Sequence, residues 1–291
     1  MTIDQLFRPA GTLRDGADPL RLDPADAGWD YSGLRVISLR PRESRLIDLG
    51  RAEGGVLPLS GSCRVEVAGS SHMMAGRRDV FSAVSDFLYL PLGSTAELTT
   101  ESGGEFAIPT AAARRQLPVS YVAAQEVPVE VRGAGQATRQ INNFASAATF
   151  AGADKLIAVE VITPAGNWSS FPPHKHDEHT NSEVPLEEIY YFRIDNGAGP
   201  SEGFGVHRTY TADGEIDATV TVRDGDVFLI PRGYHGPCAA APGYHMYYLN
   251  VMAGPLDERV WRICDDPDHA WVKELWQSQA PDPRLPLYGA S

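Results

Sequence analysis

The chemistry of this chain gathers first at Pro173-His174-Lys175-His176. Side chains on an extended segment alternate, so the imidazoles of His174 and His176 point to one side. A carboxylate follows after a loop, in Glu187-Glu188-Ile189-Tyr190-Tyr191-Phe192, and a third histidine arrives at His235, closing Pro231-Arg232-Gly233-Tyr234-His235. Imidazole and carboxylate are ligands that divalent transition metals accept. His174, His176, Glu188 and His235 therefore read as one metal site, and the metal as the seat of the chemistry.

Eleven residues separate His176 from Glu188, and this insertion brings Asp177, Glu178, His179 and Glu183 as competing ligands. Glu188 is preferred because it opens the strand-like run 189–194, and a ligand on a strand is held more rigidly than one on a loop. Glu183 and Glu187 are the alternatives. His207 and His245 lie in strand-like segments and read as core or pocket-lining histidines. His269 stands among Asp265, Asp266 and Asp268, which are suited to cap a helix before Trp271. Of the strand tyrosines Tyr190, Tyr191, Tyr247 and Tyr248, about half are expected to be plain core. Gly133-Ala134-Gly135 lacks the third glycine of a dinucleotide fingerprint, and no Gly-x-Ser-x-Gly or phosphate-loop motif is present.

The elements that must position these groups are strands. Runs 34–39, 63–67, 156–161 and 246–251 are short and β-rich, and 28 glycines and 22 prolines punctuate the chain. Only Val260-Trp261 and the stretch 271–277 read as helical. An all-β sandwich or barrel architecture follows. A weak internal repeat is visible: Arg78-Asp79-Val80-Phe81, then Leu88-Tyr89-Leu90-Pro91-Leu92-Gly93, echoes Gly225-Asp226-Val227-Phe228, then Leu229-Ile230-Pro231-Arg232-Gly233. The first copy has Thr95 where the second has His235. Two similar β domains are expected, residues 1–130 without metal and residues 131–291 with it, joined somewhere within 127–150.

Composition bounds the function. With 43% hydrophobic and 22% charged residues the chain is that of a globular protein, and its formal charge of -13 argues against nucleic acid or an anionic membrane as partner. Three dispersed cysteines suit a reducing compartment. The start, Met1-Thr2-Ile3-Asp4-Gln5, carries no signal-peptide pattern, and no apolar run approaches the ~18 residues of a membrane span. A cytoplasmic location is expected.

The paired segments resemble the two conserved motifs of the cupin superfamily: Gly166, His174, His176 and Glu188, then Gly225, Pro231, Gly233 and His235. More narrowly, the chain resembles the 5-deoxy-glucuronate isomerases of inositol catabolism, which are two-cupin proteins. The matching segments include Arg132-Gly133-Ala134-Gly135, Pro172-Pro173-His174-Lys175-His176-Asp177, Leu186-Glu187-Glu188-Ile189-Tyr190-Tyr191, Tyr247-Tyr248-Leu249-Asn250-Val251-Met252-Ala253-Gly254 and Asp265-Asp266-Pro267-Asp268-His269-Ala270-Trp271. They cover most of the chain from about residue 130, with Arg77-Arg78-Asp79-Val80-Phe81 in the first half. The insertion between His176 and Glu188 departs from the shorter spacing of many cupins.

The resemblance implies a bicupin that isomerises an open-chain sugar acid, with one divalent metal ion: zinc foremost, manganese, nickel or iron as alternatives. It implies a small anionic sugar-acid substrate and a homo-oligomer. Open coordination positions would accept the C1 and C2 oxygens of the substrate, polarise the carbonyl and stabilise the enediolate of aldose–ketose isomerisation. The general base is then sought among Glu178, Glu183 and pocket groups such as Tyr190. The substrate carboxylate calls for an arginine, and Arg193, Arg208 and Arg232 are the candidates. Arg193 has opposite parity to Glu188 on its strand, which points it outward. Rival readings are the uronate ketol-isomerase of pectin breakdown, an iron-dependent cupin dioxygenase and a sugar-binding or storage cupin.

Overall fold

The computed structural model describes residues 2–288. Strands Ser32–Leu39, Ala52–Val67, Ile157–Thr163 and Met246–Ala253 contain or overlap the four runs expected to be extended. Helix among the described residues is confined to single turns. Val272–Leu275 falls in the expected helical stretch, whereas Val260-Trp261 forms none. Ile3–Leu6 and Pro24–Ala27 were not expected. The second is set by local capping: Asp23 donates its backbone N–H to the Asp26 carboxylate at 3.1 Å just ahead of Pro24, a device too short to leave a hydrophobic period.

The strands from Leu20 to Val122 build one nine-stranded antiparallel sheet. Its long strand Ala52–Val67 pairs first with Phe87–Leu90 and Gly104–Ala112, then with Ser70–Arg77 and Thr95–Thr99. The rest of the chain forms two sheets. One has seven strands in the order Phe7–Arg8, Val227–Ile230, Glu187–Ile194, Met246–Ala253, Ile157–Thr163, Arg139–Ala145, Val129–Arg132. The other has six and contains Gly205–Tyr210, Tyr234–Ala240, His174–Lys175 and Cys264–Asp265.

Two sequence-based details need correction. Phe7–Arg8 pairs with Val227–Ile230 at the edge of the seven-stranded sheet, and Leu6 is buried in the core beside it; the N-terminal residues thus cross to the C-terminal half. The repeat also has a different register. Val80 and Phe81 lie in a turn, and Phe87–Leu90, not Val80-Phe81, occupies the strand position of Val227–Ile230 ahead of the Pro-x-Gly turn.

The central strands are buried on both faces, so they read as continuous apolar runs. In Glu187–Ile194, Ile189 and Tyr191 pack with Leu34, Val36, Tyr89 and Phe144 between the two halves, while Tyr190 and Phe192 pack with Val161, Phe228, Met246 and Tyr248 inside the C-terminal half. The N-terminal half closes on its own core of Ile47, Val65, Leu88, Leu98 and Phe106.

One buried ion pair crosses between the halves. Arg77 and Glu160 are in contact with side chains 0% and 1% exposed. Arg77 also donates to the Pro58 and Ala83 carbonyls, each at 3.0 Å. Glu160 accepts from Tyr247 and Asn142, each at 2.9 Å. Removing one partner strands a buried charge, at a cost of about 3–5 kcal/mol. Arg77→Met is therefore expected to lower Tm by on the order of 10 °C, and the double variant Arg77→Met/Glu160→Gln to lower it less. Thermal unfolding of the three proteins checks this; equal losses in single and double variants would show that the pair's charge is not what matters.

Candidate metal centre

Each cluster residue is placed by strand register. His174 pairs directly with His235 across the six-stranded sheet. Glu188 lies on the facing sheet, between Ile230 and Met252, and shares its inward face with Tyr190 and Phe192 by two-residue alternation. His176 and Leu186 bridge the base of the insertion: the Leu186 N–H donates to the His176 carbonyl at 3.0 Å. The long loop therefore leaves and returns at one point, and Glu188 stays beside His176 despite the spacing. Two glycines permit the geometry at His235. Gly233 turns the chain at φ +93, and at Gly236, φ +117, a Cβ would stand 1.8 Å from the Ser170 carbonyl oxygen.

His176, Glu188 and His235 are all buried and bring their ligand atoms within 4.8 Å of one another. Glu188 Oε2 lies 2.9 Å from His176 Nε2 and 3.0 Å from His235 Nε2. His174 stands beside this trio rather than within it, its ring centroid 4.4 Å from that of His235 and 6.4 Å from that of His176. The Nδ1 atoms face backbone carbonyls, His176 at Leu186 (3.2 Å) and His235 at Gly233 (3.1 Å). With Nδ1 held at a carbonyl, Nε2 is the atom turned toward Glu188, bonding its carboxylate from His176 at 2.9 Å, and it is the atom that would ligate a metal once deprotonated.

The donor set fits a divalent ion on a further observation. Glu188 Oε1 and His235 Nε2 are buried without a hydrogen-bond partner, the latter because its approach to Oε2 lacks hydrogen-bond geometry. Orphaned acceptors converging on one point are costly unless a cation meets them. Burial alone would raise the Glu188 carboxyl, but His235 and His176 outweigh it and hold it far below the usual carboxylate range. Burial, reinforced by His235, keeps the His174 imidazole neutral well below the ordinary histidine value.

The competing carboxylates go elsewhere. Lys175, pointing opposite to its histidine neighbours, collects Asp177 and Glu183 at 2.6 Å each and Glu178 at 3.4 Å. Asp177 also accepts the Gly233 N–H at 2.7 Å, tying the insertion to the Pro-x-Gly turn. Glu178 and Glu183 are thus drawn to Lys175 and do not line the cavity that His174 faces. Glu187 clamps the N-terminal half, accepting the backbone N–H groups of Asp30, Tyr31 and Ser32 at 2.7–2.9 Å. Glu187→Ala orphans three donors and is expected to cost about 1–3 kcal/mol of stability with metal content unchanged, to be checked by thermal unfolding beside metal analysis.

The three arginines proposed for the substrate also point away. Arg193 bonds Glu105 of the N-terminal half at 2.7 Å and Asp224 at 2.8 Å, as its parity implied. Arg208 pairs with Asp217 and lies over the Tyr210 ring; Arg232 pairs with Asp213 and Glu215 at the surface. Each is satisfied by neighbouring acids, and none lines the cavity. Of the other histidines, His207 is buried between Cys238 and Thr209, and burial pushes it down to about 3. His245 accepts the Ala165 N–H at 3.2 Å.

The cavity beside the cluster measures ≈ 190 Å³, and its wall includes His174, Tyr190, Tyr248, Arg139, Asp265 and Trp276. A larger space of ≈ 860 Å³ lies at the junction of the halves, around Arg193 and Asp224, away from the cluster. In the smaller one Tyr190 and Tyr248 stack at 4.7 Å and share the Ser170 hydroxyl at 3.2 and 3.1 Å. All four strand tyrosines are buried; Tyr190 and Tyr248 also line the cavity, while Tyr191 and Tyr247 belong to the core between the halves. Tyr190 faces the cavity and keeps its proton, since burial and the Glu188 charge push its pKa well up. Arg139, Trp261 and Trp276 were given no site role by sequence reasoning, and Asp265 was read only as a helix cap. Asp265 lies in one of the segments that carried the resemblance, directly opposite His174 in register.

Two packed β units, the second enclosing a His/Glu cluster behind a Pro-x-Gly-x-His turn, define a two-domain cupin with a candidate metal centre in its C-terminal half. The chain belongs to the KduI/IolB family, whose model matches residues 6–272. It is 41% identical over 258 residues to the 5-deoxy-glucuronate isomerase of Geobacillus thermodenitrificans, covering 88% of this chain and 91% of that protein. It is 38% identical over 275 residues to that of Geobacillus kaustophilus, covering 94% and 96%. Among solved structures it is similar to an IolB-like protein of Salmonella typhimurium, with a TM-score of 0.84, 36% identity, and coverage of 92% of this chain and 98% of that one. The oxalate decarboxylase of Lactobacillus farciminis shares the fold at 12% identity, with a TM-score of 0.65 over 91% of this chain and 89% of that one.

Proposed function

We propose that the protein is a metal-dependent aldose–ketose isomerase that converts 5-deoxy-glucuronate to 5-dehydro-2-deoxy-gluconate. The observation that carries this reading is the buried His176–Glu188–His235 trio, with His174 beside it lining a cavity whose wall carries hydroxyl, carboxylate and guanidinium groups. The family and the activity named for its relatives support it.

A divalent metal held by His174, His176, Glu188 and His235, with zinc the first candidate, would supply Lewis-acid polarisation of the C1 carbonyl. The chain's own residues must then move one proton from C2 to C1. Asp265 is the carboxylate of the cavity wall, with Oδ2 held by Lys273, and takes the general-base role because Glu178 and Glu183 do not line the cavity. Tyr190 and Tyr248, protonated and anchored on Ser170, orient substrate hydroxyls. Residues 131–291 carry the whole site. Residues 1–130 buttress it through Glu187, Glu160 and Arg193, and we assign them no metal. No described helix is long and apolar enough to cross a membrane.

The test is turnover of 5-deoxy-glucuronate under anaerobic conditions, with ketose formation followed by NMR. Ketose formed without oxygen supports the isomerase. Product that forms only in air with ferrous iron would replace this reading by an oxygenase.

A further inference from the structure

Arg77 shows what a structural buried arginine looks like in this protein: its charge is met by Glu160. Arg139 is different. It is 7% exposed and lines the cavity beside the metal centre. Its Nη1 donates to the carbonyls of Ala137 at 3.1 Å and, more weakly, Phe171 at 3.5 Å, and among the described residues it has no carboxylate within ion-pair distance. Its guanidinium lies over Trp276, 5.4 Å from the ring centroid. The other cations of the same wall are neutralised, Arg132 bidentately by Glu130 at 2.8 Å and Lys273 by Asp265 at 2.5 Å. Burial pushes the Arg139 pKa down to about 10, the mark of a cation that lacks a full counter-charge.

Further orphaned groups border the same cavity. Trp261 Nε1, Trp276 Nε1 and Asn250 Oδ1 are buried with no hydrogen-bond partner. A buried cation, two donors and an acceptor left open around one cavity are expensive for folding and informative about a ligand. They match a molecule with one carboxylate and neighbouring hydroxyls. We propose that Arg139 binds the carboxylate of an open-chain sugar acid, with the Trp261 and Trp276 indole N–H groups completing the anion cradle and Asn250 accepting from a substrate hydroxyl. This rests on the isomerase reading for the identity of the acid, but not for the existence of the carboxylate site. It also gives the segment from Trp261 to Trp276 a function: it supplies the wall that makes an anion site out of Arg139.

The experiment compares metal-loaded wild type with Arg139→Gln and Arg139→Lys, using metal stoichiometry and thermal unfolding to confirm that the variants fold. Turnover is measured on 5-deoxy-glucuronate and on the neutral aldose in which its carboxylate is replaced by hydroxymethyl. Calorimetry measures binding of gluconate, an unreactive monocarboxylate, against the neutral alditol glucitol. For Arg139→Gln, KM for the uronate is expected to rise about 100-fold with a smaller change in kcat. The preference over the neutral aldose and the gluconate binding are expected to disappear, and Arg139→Lys to recover part of each. Carboxylate-dependent gluconate binding that needs Arg139, without turnover of the uronate, would sink the isomerase reading and leave this site standing. A folded Arg139→Gln that discriminates as wild type does, or a wild type with no preference for gluconate over glucitol, would overturn the site.

Discussion

Glu188→Gln is expected to lower turnover by more than about 100-fold, beyond the range typical of residues that only support a ligand. It is also expected to reduce bound divalent metal to a minor fraction at equal metal supply. The carboxylate is the one anionic member of the His176–Glu188–His235 trio and stands 2.9 and 3.0 Å from the two imidazoles. Glutamine keeps the shape but removes the charge, and its amide N–H₂ faces ring nitrogens that should be lone-pair donors. The substitution separates Glu188 from its neighbour, because Glu187→Ala leaves metal content untouched and acts on stability through the loop 30–32. Metal analysis and anaerobic kinetics on folded protein check it; full metal occupancy with near-normal turnover would remove Glu188 from the centre.

Asp265→Asn is expected to lower kcat by about 10²–10⁴-fold while metal content and stability stay close to wild type. The carboxylate is 23% exposed and its partner Lys273 43% exposed, so breaking that ion pair costs little in folding. A fall in kcat with KM and metal content unchanged, which a purely structural role would not produce, identifies the group as the base. An Asp265→Asn enzyme with near-normal kcat would move the role to Tyr190 or another wall residue.

What could be read from the sequence was what alternation fixes locally. Two-residue parity put His174 and His176 on one side, Glu188 with Tyr190 on one face, and Arg193 on the other, where it meets Glu105. Strand-rich runs with glycine and proline turns gave the all-β class. The direction of the insertion was half-legible: Lys175, between the two histidines, must point opposite to them, and acids two, three and eight residues later are its natural partners. Arg208 and Arg232 meet acids nine and 17–19 residues away, across neighbouring strands and turns, which local spacing does not mark. Closure was not legible. Arg139 meets Trp276 across the length of the C-terminal half, and Phe7 joins Phe228 across most of the chain; no local period encodes such contacts. The double-sided burial of the central strands also hid which tyrosines were core, since an uninterrupted apolar run has no exposed face to mark the other.

The most direct test of the central claim is a metal titration of chelator-stripped protein under anaerobic conditions, following 5-deoxy-glucuronate isomerisation and bound metal together, with Glu188→Gln alongside. The account predicts no turnover in the stripped protein, activity that rises with one divalent ion per chain and then levels off, and neither binding nor recovery in the variant. Undiminished ketose formation after the metal is gone, or equal metal binding by Glu188→Gln, would contradict it.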